Sequence, residues 1–397
     1  MSRKNLSITF LYPSKRVGGA QLLFVRLAIE LSKFPDVIVN VVDYKDGFLE
    51  SSLANYSKIN ILHYHNGSVV IDEATIVVTP LTNLSDLTHL IKGNFVSIKF
   101  LFWAIHSSGI NYLMKANFRK FFLNPDNLKS FFKEISDKGN LVYMDEANYL
   151  AIKNFNPTCG PPSYMPIPVT HFDVTPSLIS NKSDLINLAW LGRISYDKVY
   201  SVIKIIDEIR NYKGKYKIVF HIIGNGEKYD ILEKHLKNSG ISYILVGTLE
   251  GSEIYNYIKT HIQIGVAMGT SCLELASFRL PTFLIDYGVS EFPLNIKYNW
   301  MFETVNYNLG SHIDSCELRN HNFSEIISQF KSDLSLGDRC YDYVLANHGI
   351  DNVALKFKNH LNKIDFISKD QIENIQTLFN PSIFNYFFSK YRKLRGF

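Results

Sequence analysis

Short apolar runs of strand length alternate with amphipathic helical stretches along most of the chain, and the alternation occurs twice. In the first half the runs are Leu6–Tyr12, Val37–Val42, Ile59–Leu62, Thr75–Thr79, Val96–Trp103 and Leu141–Met144. Near-continuous apolar runs of this length suit a parallel sheet covered on both faces. Between the first two, Ala20, Leu23, Phe24, Leu27, Ala28 and Leu31 recur at helical spacing, with Gln21, Arg26, Glu30 and Lys33 between them. A proline-rich break from Asn156 to Pro168 and a polar stretch from Ser177 to Asp184 read as a linker. The second half repeats the pattern. Leu185–Leu191, Lys217–Ile223, Tyr243–Val246, Ile262–Val266 and Thr282–Ile285 read as strands. Val199–Asn211, Glu227–Asn238, Glu253–Lys259 and Ser271–Phe278 read as helices. Two such rounds split by a linker imply an α/β chain of two doubly wound domains.

The length of 397 residues agrees with two domains rather than one core. With 46% hydrophobic and 20% charged residues the composition is that of a globular protein. The net charge of +5 is unevenly placed. Residues 1–170 hold 17 Lys and Arg against 13 Asp and Glu, residues 171–380 hold 21 against 24, and 381–397 hold four against none. No dense basic stripe or nucleic-acid-binding module accompanies this excess, so no nucleic-acid partner is expected. Cys159, Cys272, Cys316 and Cys340 are scattered without metal-ligand spacing. The N-terminus runs straight into a strand-like segment, and no apolar run reaches spanning length, so a cytoplasmic protein is expected.

Four strand-to-helix junctions carry candidate chemistry. Gly18-Gly19-Ala20-Gln21 lets backbone approach a ligand at a helix N-terminus, and it equally suits a tight turn. Leu191-Gly192-Arg193 with Lys198 sets a guanidinium and an ammonium beyond the first strand of the second half, where doubly wound sheets bind ligands. A planar fork and a mobile point charge suit a diphosphate, and a solvated basic pair is the alternative. Ile223-Gly224-Asn225-Gly226 is an incomplete dinucleotide fingerprint, since Tyr229 occupies the third glycine position, and a positive-φ turn explains it as well. Met268-Gly269-Thr270-Ser271 opens a helix whose first amides suit an anion. Glu274 follows one turn in, placed for a ribose diol, and Ser or Thr with that glutamate also reads as a capping box.

Taken together, these pieces resemble glycosyltransferase family 4, most strongly from Leu188 to Asp286. The resemblance implies the GT-B fold, two Rossmann-like domains facing a central cleft. The implied divisions are 1–165 for the acceptor-binding domain, 166–184 for the linker and 185–350 for the nucleotide-sugar-binding domain. Residues 351–397 form C-terminal helices, with a crossing back to the N-terminal domain as an option. Gly18 and Gly19 resemble the family's glycine loop, Arg193 and Lys198 its catalytic diphosphate-binding pair, and His106 a histidine that approaches the donor sugar. Gly224, Gly269, Thr270, Ser271 and Glu274 are the implied donor-binding residues, with Glu274 matching the second glutamate of the family's paired motif. The first glutamate is absent: at the same spacing stands Val266. Met268–Ser271 together with Lys297–Glu303 is similar to enzymes of bacterial surface-polysaccharide assembly.

The resemblance implies transfer of a sugar from a nucleotide sugar to a saccharide or lipid-linked acceptor, with retention and with no cofactor. No Asp-any-Asp pair, His-Glu-any-any-His motif or P-loop occurs, so no metal site is expected and protein groups must neutralise the diphosphate. A sugar-nucleotide epimerase, an inverting transferase and a non-catalytic nucleotide-sugar-binding subunit are the competing readings. Phe384–Arg395 mixes aromatic and basic residues without an acid. It reads either as peripheral contact with the inner membrane surface or as a helix packing on the first domain.

Overall fold

The structure is a computed structural model that describes residues 5–16, 18–93, 95–106, 109–110, 113, 125–170, 183–314 and 319–378. Cys316 and the Phe384–Arg395 tail lie outside the described residues. Contacts divide the chain into two units, residues 1–168 with 350–397, and residues 169–349.

The first unit runs β1 (Leu6–Leu11), α1 (Gly19–Leu31), β2 (Val37–Asp43), α2 (Phe48–Leu53), β3 (Ile59–His63), β4 (Val69–Ile71), β5 (Thr75–Pro80), α3 (Leu87–Leu90), β6 (Ile91–Gly93), β7 (Ile98–Ala104), α4 (Pro125–Asp137), β8 (Leu141–Tyr143) and α5 (Glu146–Phe155). Six strands form one parallel sheet in the order β3-β2-β1-β5-β7-β8, while β4 and β6 pair separately. The central strand β5 is buried at every position, which is why its sequence shows no polar alternation. The apolar stripe of α1 buries Leu23, Phe24, Leu27, Ala28 and Leu31, as its spacing requires. The run that reads as a strand from Val96 begins only at Ile98. Phe95–Ser97 is a 3-10 turn that leaves Val96 80% exposed.

The second unit runs β9 (Leu185–Leu191), α6 (Val199–Asn211), β10 (Lys217–Ile223), α7 (Tyr229–Lys237), β11 (Ser242–Gly247), α8 (Ser252–His261), β12 (Ile264–Ala267), α9 (Thr270–Ser277), β13 (Thr282–Leu284), β14 (Asn299–Trp300), α10 (Phe323–Ser332) and α11 (Leu336–His348). Its sheet has the order β11-β10-β9-β12-β13-β14, parallel except for β14. Leu188, Trp190, Phe220, Ile222, Val266 and Phe283 fill its core. The β12 run starts two residues later than its apolar sequence suggests. Gln263 pairs with Asn187 partly through its side chain, whose Oε1 accepts the Asn187 N–H at 2.9 Å.

Two further helices, α12 (Ile350–Leu361) and α13 (Lys369–Leu378), belong to the first unit. Phe357 of α12 stacks on Phe10 and packs against Trp103, and Phe24 meets both Phe10 and Trp103 edge-on. Burying each such side chain contributes about 1.5–3 kcal/mol, so α12 is an integral part of this core.

Candidate active site

In the second sheet the chain moves outward from β9 to β10 and β11, then returns to place β12 on the other side of β9. The order reverses between β9 and β12, and doubly wound sheets bind ligands beyond the carboxyl ends of such a pair. The loops that leave β9 and β12 carry Arg193 with Lys198 and Gly269 with Thr270 and Ser271.

The loop after β9 is fixed before it presents its charges. Gly192 N–H donates to the Ile223 carbonyl at 3.0 Å and Ile194 N–H to the Asn225 carbonyl at 2.9 Å. Ile194 is fully buried between two exposed neighbours, Arg193 and Tyr196, with Ser195 also inside. Gly224 has φ +137°, and a Cβ there would lie 2.1 Å from the Gly192 carbonyl oxygen. Gly224 is therefore explained by loop-to-loop packing: it lets the β10 loop brace the Arg193 loop.

Lys198 stands at the start of α6 and is half-buried, whereas Arg193 is exposed. Burial lowers the pKa of the Lys198 ammonium, Asp197 opposes that shift, Arg193 adds to it, and Cys272 works against it. Lys198 thus lies in electrostatic range of Arg193 on one side and of the first turn of α9 on the other.

The connection from β12 to α9 is only Met268 and Gly269. Gly269 is the N-cap residue, with φ +59°, and its N–H donates to the Leu309 carbonyl at 2.8 Å. This overturns the capping-box reading: the cap is a glycine, and Ser271 and Glu274 are both inside the helix. A glycine cap offers no side-chain oxygen to the first-turn amides, which carry the positive end of the helix dipole. Glu274 is half-buried on α9, whose Leu273, Leu275 and Ala276 form the buried face. Val266 sits inside β12, fully buried and paired with Trp190 and Phe283. An acid at that spacing would stand in the core of the sheet, so the short loop leaves no room for the paired glutamate there.

Asp286, just past β13, escaped the sequence reading. Its carboxylate accepts the Ser311 N–H at 2.8 Å and a two-nitrogen ion pair from Arg319, and both side chains are largely buried. The pair ties down the segment whose Leu309 carbonyl holds Gly269. An acidic residue directly after a strand was the only signal in the sequence.

The remaining candidates lie in the first unit, at the carboxyl ends of its own switch-point strands β1 and β5. A cavity of about 530 Å³ is lined there by Tyr12, Gly19, Asp86, Trp103, His106 and Asn148, among others. Gly18 caps α1 in extended backbone, at φ −160°, so it needs no special freedom; a Cβ would press on Gln21 Oε1 at 2.5 Å. Gly19 and His106, both exposed, share the cavity wall. Burial pushes the Tyr12 phenol up and Gln21 partly offsets it, so Tyr12 is a neutral hydroxyl. The candidate residues therefore fall into two sets, Gly18, Gly19 and His106 in the first unit and the others in the second unit, beyond the carboxyl ends of β9, β10 and β12. Among the described residues no cluster of three His, Cys, Asp or Glu side chains is placed to hold a metal ion, and no helix is long and apolar enough to cross a membrane.

No protein-family model matches the chain, and no curated protein matches it significantly in sequence. Solved structures do match. Lipopolysaccharide outer core galactosyltransferase WaaB, in its apo form, is similar at 11% identity and TM-score 0.52, over 90% of this chain and 99% of that one. Anabaena HepE, solved with UDP and glucose, is similar at 9% identity and TM-score 0.51, over 91% and 100%. S. aureus TarM is similar at 12% identity and TM-score 0.56, over 91% and 99%. At these identities the likeness shows the fold: the chain has the GT-B fold, with two Rossmann-like domains.

Proposed function

We propose that this chain is a glycosyltransferase of the family 4 type. It moves a sugar from a nucleotide-sugar donor to a saccharide or lipid-linked saccharide acceptor, with retention and without a metal, in bacterial surface-polysaccharide synthesis at the cytoplasmic face of the membrane. The observation that carries this reading is the convergence of Arg193, Lys198 and the glycine-capped N-terminus of α9 beyond β9 and β12. A leaving nucleoside diphosphate gains negative charge as the glycosidic bond breaks. Preorganised cations and backbone amides stabilise that charge most where water is partly excluded. Lys198 meets the condition through burial, and Arg193 supplies a planar fork at the rim. Glu274, one turn along the same helix, takes the ribose hydroxyls. In the second unit these groups bind the donor, and in the first unit the cavity beside His106 takes the acceptor.

No side chain is required as a nucleophile in this scheme. The acceptor hydroxyl attacks the anomeric carbon on the face from which the diphosphate departs, and the departing phosphate oxygen takes the hydroxyl proton. Catalysis then rests on positioning and on charge stabilisation. HepE and a TarM variant crystallised with UDP, which supports the donor class, and the lipopolysaccharide role named for WaaB supports the surface-polysaccharide setting.

The test is release of free nucleoside diphosphate from a panel of UDP-, GDP-, ADP- and dTDP-sugars, with and without a lipid-linked saccharide extract. A transferase releases it only when the acceptor is present. Equal release without acceptor, or bound nucleotide with no release under any condition, would overturn the proposal.

A further inference from the structure

A second cavity, of about 580 Å³, lies within the first unit and takes no part in the proposed chemistry. Its walls are residues 162–165 on one side and α12 with the turn after it on the other. On α12, Asn352, Leu355, Lys356 and Asn359 follow one another at i, i+3, i+4 and i+7, so they share one face of the helix, and all four are exposed. The other face buries Val353, Ala354, Phe357 and Leu361, which holds the lysine face outward. Lys363, just past the end of α12 and also exposed, continues the same wall.

The charge on these walls has one sign. Among the described residues two lysines line the cavity and no carboxylate does. Tyr164, also on the wall, donates its hydroxyl to Glu146, which is not a lining residue. His360 on the wall senses the local field. Its Nε2 lies 2.7 Å from the Gly139 carbonyl oxygen, which can only accept, so Nε2 carries the hydrogen and a second proton must go to Nδ1. Burial lowers the pKa of this imidazole most and the Gly139 hydrogen bond opposes that shift. Lys363 and Lys356 then lower it further, with no carboxylate to offset them. Both ammonium groups therefore act on one ring of the cavity wall. Two cations without a counter-charge suit a dianion. A phosphate monoester carries close to two negative charges at neutral pH and three strong acceptor oxygens, whereas a carboxylate brings one charge and a plain sugar none. The cavity has the size of a small-molecule site, so it takes more than the phosphate itself, with the half-exposed Leu355 as an apolar neighbour for the rest.

We propose that this cavity is a further anion site of the chain, in which Lys356 and Lys363 hold a phosphate monoester, with Ser163 and Asn359 as neutral donors on the same walls. The site stands apart from Arg193, Lys198 and α9 in the sequence and in the other unit, so it does not depend on the donor chemistry. Its place in the chain gives it a consequence. The chain leaves the first unit after Pro168 and re-enters it at Ile350, the first residue of α12. A phosphate held on both walls ties residues 162–165 to α12, and so cross-links the outgoing and the returning connection within the first unit.

The experiment follows the histidine ring signals of the full-length labelled protein by NMR, with His360 assigned from His360→Gln. Glycerol 3-phosphate, inorganic phosphate and acetate are titrated at constant ionic strength. The two phosphates are expected to move the His360 signal saturably and to shift its titration to higher pH, because a bound anion favours the imidazolium, and acetate is not. Lys198→Met should leave this response unchanged. Lys356→Gln with Lys363→Gln should weaken it about tenfold, since an exposed ion pair contributes about two- to fivefold each, while UDP affinity stays as in the unaltered protein. Sedimentation with phosphatidic acid vesicles distinguishes the source of the phosphate. Vesicle binding that needs both lysines, at concentrations where glycerol 3-phosphate does not saturate, identifies a lipid headgroup; saturation by glycerol 3-phosphate without vesicle binding identifies a soluble ester. The site is overturned if neither the soluble phosphates nor the vesicles bind, if acetate matches glycerol 3-phosphate, or if the responses survive the double substitution.

Discussion

Lys198 offers the sharpest separation between a functional and a structural charge. Its ammonium is half-buried and its pKa is lowered first by that burial. Asp197 compensates in part, and Arg193 makes matters worse. In the nucleotide-free protein this cation is held at a cost, which a bound diphosphate would offset. Lys198→Met keeps most of the stem and removes the charge. A charge-assisted hydrogen bond contributes about 1.5–3 kcal/mol, and each ~1.4 kcal/mol is a factor of ten. The affinity for a nucleoside diphosphate should therefore fall roughly ten- to a hundredfold, toward the upper end because the site is partly desolvated. Arg193→Ala removes an exposed, solvent-screened group and should fall at the lower end. Thermal stability of the free Lys198→Met protein should not drop, since the desolvation cost disappears with the charge. The pH dependence has a definite sign. With the folded pKa below the ordinary lysine value, the unfolded chain holds this proton more tightly, so the residue's contribution to stability rises as pH climbs from the folded pKa to the unfolded one. Diphosphate affinity moves the other way, falling as Lys198 loses its proton at a pH lower than for an ordinary lysine, and Lys198→Arg should abolish that fall. Calorimetric titration with UDP and GDP across pH, beside thermal melts, reads all of this. Unchanged affinity in both the Met and Ala variants, or a large loss of stability in Lys198→Met, would show that Lys198 is not a diphosphate ligand held at a desolvation cost.

Four other outcomes follow from the same geometry. Glu274→Gln should chiefly raise the donor KM and Glu274→Ala should raise it further, and steady-state kinetics with both variants unchanged would remove the ribose role. Gly224→Ala forces a Cβ against the Gly192 carbonyl at positive φ and should cost about 2–4 kcal/mol in denaturant unfolding, with donor binding weakened because the Arg193 loop shifts. Asp286→Asn removes the carboxylate charge from a largely buried ion pair with Arg319 and should cost about 3–5 kcal/mol of stability, read by the same unfolding measurement. Acceptor-dependent activity should persist in EDTA, and complete loss restored by Mn²⁺ or Mg²⁺ would show that the diphosphate needs a metal.

The alternating fold was legible because buried parallel strands and amphipathic helices leave strong local signatures. Leu185–Leu191, Val199–Asn211 and Lys217–Ile223 occupy the same residues in sequence and structure. Elements without a period of their own were not legible. Strands β4, β6 and β14 have two or three residues each and exist only through tertiary pairing. The capping box at Ser271 and Glu274 failed because a local pattern does not reveal where a helix starts. Met268 and Gly269 close the turn so quickly that the glycine becomes the cap. Val266 stands inside β12 rather than in the loop after it, so the position that the fixed spacing picks out is a core position of the sheet.

The proposed chemistry requires a nucleoside diphosphate to bind beyond β9 and β12 of the second unit. A crystal structure of the protein with UDP or GDP tests it most directly. Phosphate oxygens are expected within hydrogen-bond reach of Arg193, Lys198 and the first-turn amides of α9, with the ribose diol on Glu274. A diphosphate bound elsewhere, or Glu274 turned away from the ribose, would contradict it.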